Sequence, residues 1–407
     1  MPKFVLSCDV AKGKSTFGLF EFEDGSLKTI KRPRNYEHNL DGLMAMYNDF
    51  ELKDREDVLV MMESTLVYQT PLVVFFKSHG LENVVVENPL LIARKSFGLT
   101  KTKTDNLDCF IIADYAFRQQ WEKPVQVSKE QQEARTLSRY IDSLLSQATV
   151  VQNKIRLYLV AVFPEIEKIA GKSLFSAGFL NLLKTCPHPQ TISRKTIDGI
   201  VTAMAGNTKR CASYQELARK IKEVSKTSLS SVKEDSAECL ILVDIVSFYQ
   251  SLSDRIRTMR QKLSELVRNH SLYSVLTSFK GIGDGIASSL TAELWDIEKY
   301  SNDKKLFAST GMAPGKEESG ASINKDLSIG KKGNAHVRKW LFVAVQSIIT
   351  QASMGRGDER IYAYYEKKHN NDKKHYYAAV VACCHKLLKQ VYHRYMVLLK
   401  TNELIVY

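Results

Sequence analysis

Long apolar runs are missing from this 407-residue sequence. None reaches the roughly 18–20 residues that a bilayer-spanning helix requires, so no transmembrane segment is expected. The first residues, Met1-Pro2-Lys3 and then a short strand-like run, lack the layout of a secretory signal peptide, which points to a cytoplasmic protein. Cysteine is scarce as well. The seven cysteines, among them Cys8, Cys109, Cys186 and the neighbours Cys383 and Cys384, are odd in number and show no paired zinc spacing. That pattern argues against a disulfide framework or a zinc ribbon and leaves reduced structural thiols. Cys186-Pro187-His188 has no second pair nearby and reads as a loop with a buried thiol. Acidic residues are in deficit: Lys plus Arg outnumber Asp plus Glu by 58 to 45, a formal charge of +13 with a pI near 9.2. Such a balance favours a polyanionic partner. What is present is globular material, 44% hydrophobic and long enough for two or three domains.

Residues 1–125 alternate strand-like and helix-like stretches. Phe4–Cys8, Thr16–Phe22 and Leu27–Lys31 read as successive short strands, with Asp24-Gly25 as a hairpin signal between the last two. A helical period follows over Leu40–Phe50, then a strand at Val58–Met62, a helix at Leu72–Lys77, a strand at Val84–Val86 and a helix from Asp105 to about Gln119. Three meander strands followed by helix, strand, helix, strand and helix is the order of the ribonuclease-H-like (RuvC-like) mixed sheet, one candidate among several α/β folds. Residues 126–270 turn to long polar and aliphatic residues at helical spacing. Leu137, Ile141, Leu144, Leu145, Ala148 and Val151 mark one face, and a second run covers about Tyr214–Val267. These read as long helices, either scaffold or a paired coiled-coil arm for dimerisation. Residues 271–407 are expected to form a mainly helical C-terminal domain, so the fold class is α/β plus α.

Four acids stand out in the first segment. Asp9 closes the apolar run Phe4–Cys8, Glu63 closes Val58–Met62, and Asp105 and Asp108 sit in Lys103-Thr104-Asp105-Asn106-Leu107-Asp108 before a helix. Being three apart, the last two project from one face of a first helical turn. Each alone has an ordinary reading as a turn residue or helix cap, and Asp105 beside Thr104 could simply cap its helix. Together they suit phosphoryl transfer with two divalent ions, which needs several hard oxygen ligands around ions about 3.5–4 Å apart.

The last segment is rich in glycine. Ser278-Phe279-Lys280-Gly281-Ile282-Gly283 looks like the hairpin of a helix-hairpin-helix element, in which bare N–H groups meet a phosphate, or is a plain helix–helix turn. Lys280 stands where a proline is usual. Further on, Phe307–Pro314, Ser319-Gly320 and Gly330-Lys331-Lys332-Gly333-Asn334, leading to Arg338, suggest a phosphate-handling loop. A serine beside glycine there can act as a nucleophile once its pKa is lowered, and Ser309, Ser319, Ser322 and Ser328 are all candidates.

Val5-Leu6-Ser7-Cys8-Asp9-Val10-Ala11-Lys12, Met62-Glu63-Ser64-Thr65 and Lys103–Asp108 resemble the four-acid signature of the DEDD insertion-sequence transposases. Phe307-Ala308-Ser309, Gly311-Met312-Ala313-Pro314, Ser319-Gly320 and Gly333-Asn334 with Arg338 resemble that family's C-terminal domain, in the same order. The resemblance implies a bacterial, nucleoid-associated recombinase working with a structured guide (bridge) RNA that pairs with double-stranded target and donor DNA. It implies that Asp9, Glu63, Asp105 and Asp108 hold Mg²⁺ and that Ser319 joins DNA covalently. It further implies homodimers assembling to tetramers with composite sites. Lys280, Gly281, Gly283, Lys331, Lys332, Asn334 and Arg338 are the expected nucleic-acid contacts. Ala321 follows Gly320 where a second glycine is frequent, which keeps Ser322 open beside Ser319.

Two other classes remain on the residues alone. A junction endonuclease of the same fold would use water as nucleophile, with Ser319 a loop residue. A nucleic-acid-binding scaffold with an actin-like ATPase core would also open on a strand ending in Asp, but the sequence has no second phosphate loop or adenosine-type glycine motif.

Overall fold

The computed structural model describes residues 2–23, 25–64, 68–87, 89, 92, 105–118, 128–206, 212–319, 323–330 and 333–401. The chain divides into two units, Met1–Gln126 and Val127–Tyr407. Among the described residues no helix is long and apolar enough to cross a membrane.

The first unit is built on a five-stranded mixed sheet of order β3-β2-β1-β4-β5. Its strands are β1 (Phe4–Val10), β2 (Lys14–Glu23), β3 (Ser26–Glu37), β4 (Val58–Glu63) and β5 (Val84–Glu87). β1, β2 and β3 form an antiparallel meander, whereas β1, β4 and β5 run parallel. The helices among its described residues include α1 (Leu40–Asp49), α2 (Thr70–Ser78) and α3 (Asp105–Arg118). Alternation along the central strands divides the core into two layers. Leu6, Cys8, Val10, Val58, Val60 and Met62 pack with α1 and α2. Val5, Leu59 and Met61 pack with Cys109, Ile112, Ala113 and Ala116 of α3.

The third strand is longer than Leu27–Lys31. It continues to Glu37, pairing along β2 with a register shift around Leu19. Its run Lys31-Arg32-Pro33-Arg34-Asn35 does not read as a strand because β3 is a sheet edge, where charge and proline are tolerated.

Among its described residues the second unit is helical apart from one ribbon. Its helices are α4 (Lys129–Val162), α5 (Ile166–Ala170), α6 (Ala177–Thr185), α7 (Pro189–Ser193), α8 (Ile197–Ala205), α9 (Ala212–Lys226), α10 (Ala237–Val267), α11 (Ser271–Thr277), α12 (Asp284–Leu294), α13 (Asp303–Ser309), α14 (Ala335–Ala352), α15 (Glu359–Glu366) and α16 (Tyr376–Thr401). α4 and α10 pack along each other in opposite directions. Gln152 near the end of α4 bonds Tyr249 in the first half of α10 at 2.7 Å, while Ile141 shares a cluster with Leu263 and Val267.

The run Tyr214–Val267 is two helices, not one. Between them Ser228 Oγ donates to Glu165 Oε2 at 2.6 Å and Ser231 Oγ to the Ala161 carbonyl at 3.1 Å, while Ser236 caps α10. Serines that bond elsewhere compete with the helix, and a cluster of them ends it. His188, beside the buried Cys186, is itself buried, its Nε2 2.9 Å from the Val232 carbonyl and its Nδ1 accepting from the Gln190 N–H.

The expected glycine-rich loop holds an antiparallel ribbon, β6 (Pro314–Ser319) with β7 (Ile323–Ile329). Lys316, Glu317, Glu318, Lys325 and Asp326 are weak strand formers and hide it.

Candidate active site

Two features of the sheet decide where the acids of the first unit lie. Cys8 pairs with Met62 across the parallel strands β1 and β4, so the next step places Asp9 beside Glu63. Glu63 in turn pairs with Glu87 of β5. Three parallel strands therefore end in carboxylates on adjacent positions, about 4.8 Å apart strand to strand. Alternation sets their direction: Asp9 follows Val5 and Ser7, Glu63 follows Leu59 and Met61, and Glu87 follows Val85, which is the face that α3 covers.

α3 begins at Asp105 and brings Asp108 to the same edge. Cys109 Sγ donates to the carbonyl of Thr16 at 3.3 Å, and Thr16 is the β2 partner of Asp9. The Cys109 thiol registers both neighbours. Burial pushes it up to about 12, hydrogen bonds from the Asp9 backbone and the Ser7 side chain pull it down, and the charges of Asp9 and Asp108 push it further up. Cys8 is pushed well above its ordinary value, first by burial, then by Cys109 and Asp9. Tyr115, two turns along α3, lies 3.5 Å from Glu87 Oε2.

Asp9, Glu63 and Asp108 thus share one edge of the sheet. Asp105 is the first residue of α3, and its side chain lies outside the described residues. All donors in this set are carboxylate oxygens, the chemistry that suits a hard divalent cation. Among the described side chains no group of three His, Cys, Asp or Glu is arranged to hold a metal ion, and Asp105 is outside that count. Glu87 was missed in the sequence. Its signal was the same as that of its neighbours, an acid closing an apolar run, Val84-Val85-Val86-Glu87.

The second unit holds the other candidates. Ser319 is the last residue of β6, paired with Ile323. Gly320, Ser322, Lys331 and Lys332 lie outside the described residues. The base of the ribbon is tied down. Arg338 Nη1 donates to the carbonyls of Thr310 at 2.9 Å and Gly333 at 3.1 Å, one on each side of β6 and β7. Asn334 caps α14 through the N–H groups of His336 and Val337, and its Nδ2 donates to Glu293 Oε2 at 2.8 Å. Glu293, whose side chain is fully buried, also takes Arg139 Nε at 2.9 Å and Nη2 at 3.2 Å. A second buried carboxylate, Asp142, joins His336 Nδ1 at 2.7 Å and Lys339 Nζ at 2.6 Å. Two buried acids of α4 and α12 therefore fix the start of α14 and the ribbon's root. Asn334 and Arg338 have interior partners that the sequence did not reveal.

Between α11 and α12, Lys280 is exposed and its carbonyl accepts from the Asp358 N–H at 2.9 Å. Gly281 has φ of +99°, and a Cβ there would come within 2.9 Å of Ile348 Cα, so its contact with α14 already demands glycine. Gly283 precedes α12 with no side-chain cap and open space around it.

A sheet edge lined with carboxylates, followed by a helical unit that roots a serine-bearing ribbon, is an arrangement suited to phosphoryl chemistry, and family comparison gives it a class. A transposase model, that of the DEDD transposases of the IS110 type, matches residues 6–164, and a second, for transposases of the IS116/IS110/IS902 family, matches residues 273–366. The chain belongs to the IS116/IS110/IS902 family of transposases. It is similar to an uncharacterized 43.6 kDa protein of insertion element IS110 from Streptomyces coelicolor, with 23% identity over 246 residues, 60% of each chain. It is also similar to an uncharacterized 44.8 kDa protein of insertion element IS116 from Streptomyces clavuligerus, with 22% identity over 292 residues, 71% of this chain and 72% of that one.

Proposed function

We propose that this chain is an RNA-guided DNA transposase that cuts and joins strands with a divalent metal and a serine nucleophile. The observation that carries this reading is the alignment of Asp9 and Glu63 at the ends of adjacent parallel strands, on the face covered by the helix of Asp105 and Asp108. These four carboxylates would hold Mg²⁺, with Glu87 next in register. Bound there, the metal would neutralise charge on the scissile phosphate and make a hydroxyl a competent nucleophile. Ser319 Oγ forms a bond to phosphorus while the bond from phosphorus to a deoxyribose oxygen breaks. The hydroxyl proton leaves to solvent base and the departing oxygen takes one up. Attack on the phosphoserine by the hydroxyl of a second strand reverses the sequence, restores Ser319 and joins the DNA.

The acids and Ser319 lie in different units, which suits a composite site built by homodimers assembling to a tetramer, with the antiparallel pair α4 and α10 as the assembling arm. The charge of +13 suits double-stranded target and donor DNA and a structured guide RNA. Lys331 and Lys332 are its phosphate contacts in the ribbon segment, and Lys280 with Gly283 those between α11 and α12. The test is to purify the chain from cells carrying its flanking DNA, sequence any bound RNA, and incubate the complex with both duplexes and Mg²⁺. Joined product that requires the RNA and is lost in Asp9→Asn and Glu63→Gln is expected. A carboxylate cluster alone is also sufficient to direct water at a phosphate, so cleaved free ends without bound RNA would favour a metal-dependent junction endonuclease.

A further inference from the structure

The segment joining α15 to α16 carries cations and aromatic rings that the acids and Ser319 do not involve. It opens on a wide π-turn, Lys367–Asn371, and passes through Lys373, whose φ is +49°. Such π-turns are rare and recur at functional sites. Residues 366–375 hold four lysines and two histidines against two acids, Glu366 and Asp372. Both acids are engaged: Asp372 Oδ2 accepts from Lys368 Nζ at 2.6 Å, and Glu366 accepts from the hydroxyl of Tyr362. Lys367, Lys373 and Lys374 are exposed and form no ion pair among the described residues.

Hydrogen bonds brace this segment. The Asp372 N–H donates to the Lys367 carbonyl at 2.9 Å, the Lys374 N–H to the Lys368 carbonyl at 3.0 Å, and His369 Nδ1 lies 3.0 Å from the Lys374 carbonyl. Its rings are ordered as well. The Tyr376 hydroxyl accepts from Gln346 Nε2 of α14 at 3.1 Å, and the Tyr376 ring meets those of Tyr365 and His369 edge-on. Tyr377 stacks with Phe342 of α14, ring centres 6.0 Å apart and planes inclined by 21°, and with His375 at 5.6 Å and 25°. Phe342 packs against the hydrophobic core around α14 and α16, which anchors the stack, yet Tyr377 is 62% exposed. A ring held nearly parallel to two others and left open to solvent offers its face to a further flat ring. The lysines that precede it select a ring carried on a polyanion.

We propose that Tyr377 and His375 are a stacking platform for an unpaired base of a single nucleic-acid strand, with Lys373 and Lys374 on the adjoining phosphates. Every base has a π-face, so such a platform holds a strand without reading its sequence. A duplex keeps its bases stacked on one another, and only an unpaired base is free to cover the ring. RNA and DNA strands share this chemistry. The platform goes beyond the reading of the acids and Ser319, and its test reads binding rather than cutting, so the two fail separately.

The experiment uses the full chain. Fluorescence anisotropy measures the affinity for a single-stranded DNA, a single-stranded RNA and a duplex DNA of one length. The proteins are the parent, Tyr377→Ala, Tyr377→Phe and Lys373→Ala/Lys374→Ala, with circular dichroism confirming native helix. Tyr377→Ala is expected to bind a single strand about 5- to 100-fold more weakly, the worth of one stacked base, with duplex affinity unchanged. Tyr377→Phe keeps the ring and is expected to bind as the parent does, while the double lysine variant lowers the single-strand salt slope by about 1.4 through the loss of two phosphate contacts. A loss confined to the RNA assigns the base to an RNA strand, and a loss confined to the single-stranded DNA assigns it to a DNA strand. Three results overturn the platform: parent-like binding of both single strands by folded Tyr377→Ala, an equal loss on the duplex, or Tyr377→Phe binding as weakly as Tyr377→Ala. An unchanged salt slope in the folded lysine variant overturns the phosphate contacts.

Discussion

Replacing Arg139 with alanine tests the claim that buried charge roots the serine-bearing ribbon. Glu293 has a fully buried side chain and receives three hydrogen bonds, two from Arg139 and one from Asn334. Arg139→Ala leaves that carboxylate with a single neutral donor, and Arg135, bonded to the Glu293 carbonyl at 3.3 Å, as the remaining nearby cation. Breaking a fully buried pair costs about 3–5 kcal/mol. Arg139 is half-exposed, so water reaches its side of the pair and lowers the expectation to about 2–3 kcal/mol. Trp295 follows α12 and Trp340 lies in α14, so tryptophan fluorescence during urea unfolding of the full chain carrying Trp121→Phe, which removes the third tryptophan, reports on this junction. A loss of that size lowers the midpoint by about 1 M. Arg257→Ala, which removes an exposed pair with Asp254 one turn away, is the control and is expected to cost no more than about 0.5 kcal/mol. A midpoint for Arg139→Ala no lower than that of the control would refute the reasoning.

The two glycines between α11 and α12 separate backbone packing from phosphate contact. Gly281→Ala is expected to destabilise by more than about 2 kcal/mol through its positive φ and the close approach of Ile348, whereas Gly283→Ala stays within about 0.5 kcal/mol by thermal unfolding. If Gly283→Ala is stable yet binds DNA several-fold more weakly, its N–H faces phosphate; unchanged binding removes it from the interface. Cys109 is expected to resist alkylation at pH 8 until the chain unfolds, because burial holds its thiol near 12. The unfolded thiol releases its proton near 9, so the folded state holds the extra proton and stability falls as pH rises from about 9 towards 12. Labelling of native Cys109 at the denatured rate would contradict this. Burial lowers the pKa of His270, whose Nδ1 accepts the Leu272 N–H that starts α11. Its unfolded form binds the proton first, so stability is complete above about 6.5 and is lost as pH falls below it. His270→Asn, which keeps a capping acceptor, is expected to flatten the acid limb, and an acid limb as steep as the parent's would count against it.

The mixed sheet was legible because its central strands are buried on both faces, so Phe4–Cys8 and Val58–Met62 read as continuous apolar runs. Their ends pointed to Asp9 and Glu63, and the same signal at Val84-Val85-Val86-Glu87 went unused until the register of β4 and β5 set Glu87 beside Glu63. The second half of edge strand β3, beyond Lys31, and ribbon β6–β7 escaped because their residues are polar, and their pairing depends on partners rather than on local preference. The long α10 was legible, but its separation from α9 depended on Glu165 and Ala161, distant groups that draw Ser228 and Ser231 out of a helix. Asn334 and Arg338 looked like phosphate contacts because of their glycine and lysine neighbours. Their partners Glu293 and the Thr310 carbonyl lie 41 and 28 residues away.

The central claim, that carboxylates of the first unit and a serine of the second cooperate in cutting and joining DNA, is tested most directly by covalent capture. The parent chain, with its bound RNA, Mg²⁺ and labelled duplex, is denatured, and the labelled protein is digested and mapped. The account predicts an adduct on the Ser319 peptide that survives denaturation, disappears in Ser319→Ala and fails to form in Asp9→Asn. An adduct that persists in Ser319→Ala, or cleaved free ends with no adduct in the parent, would contradict it.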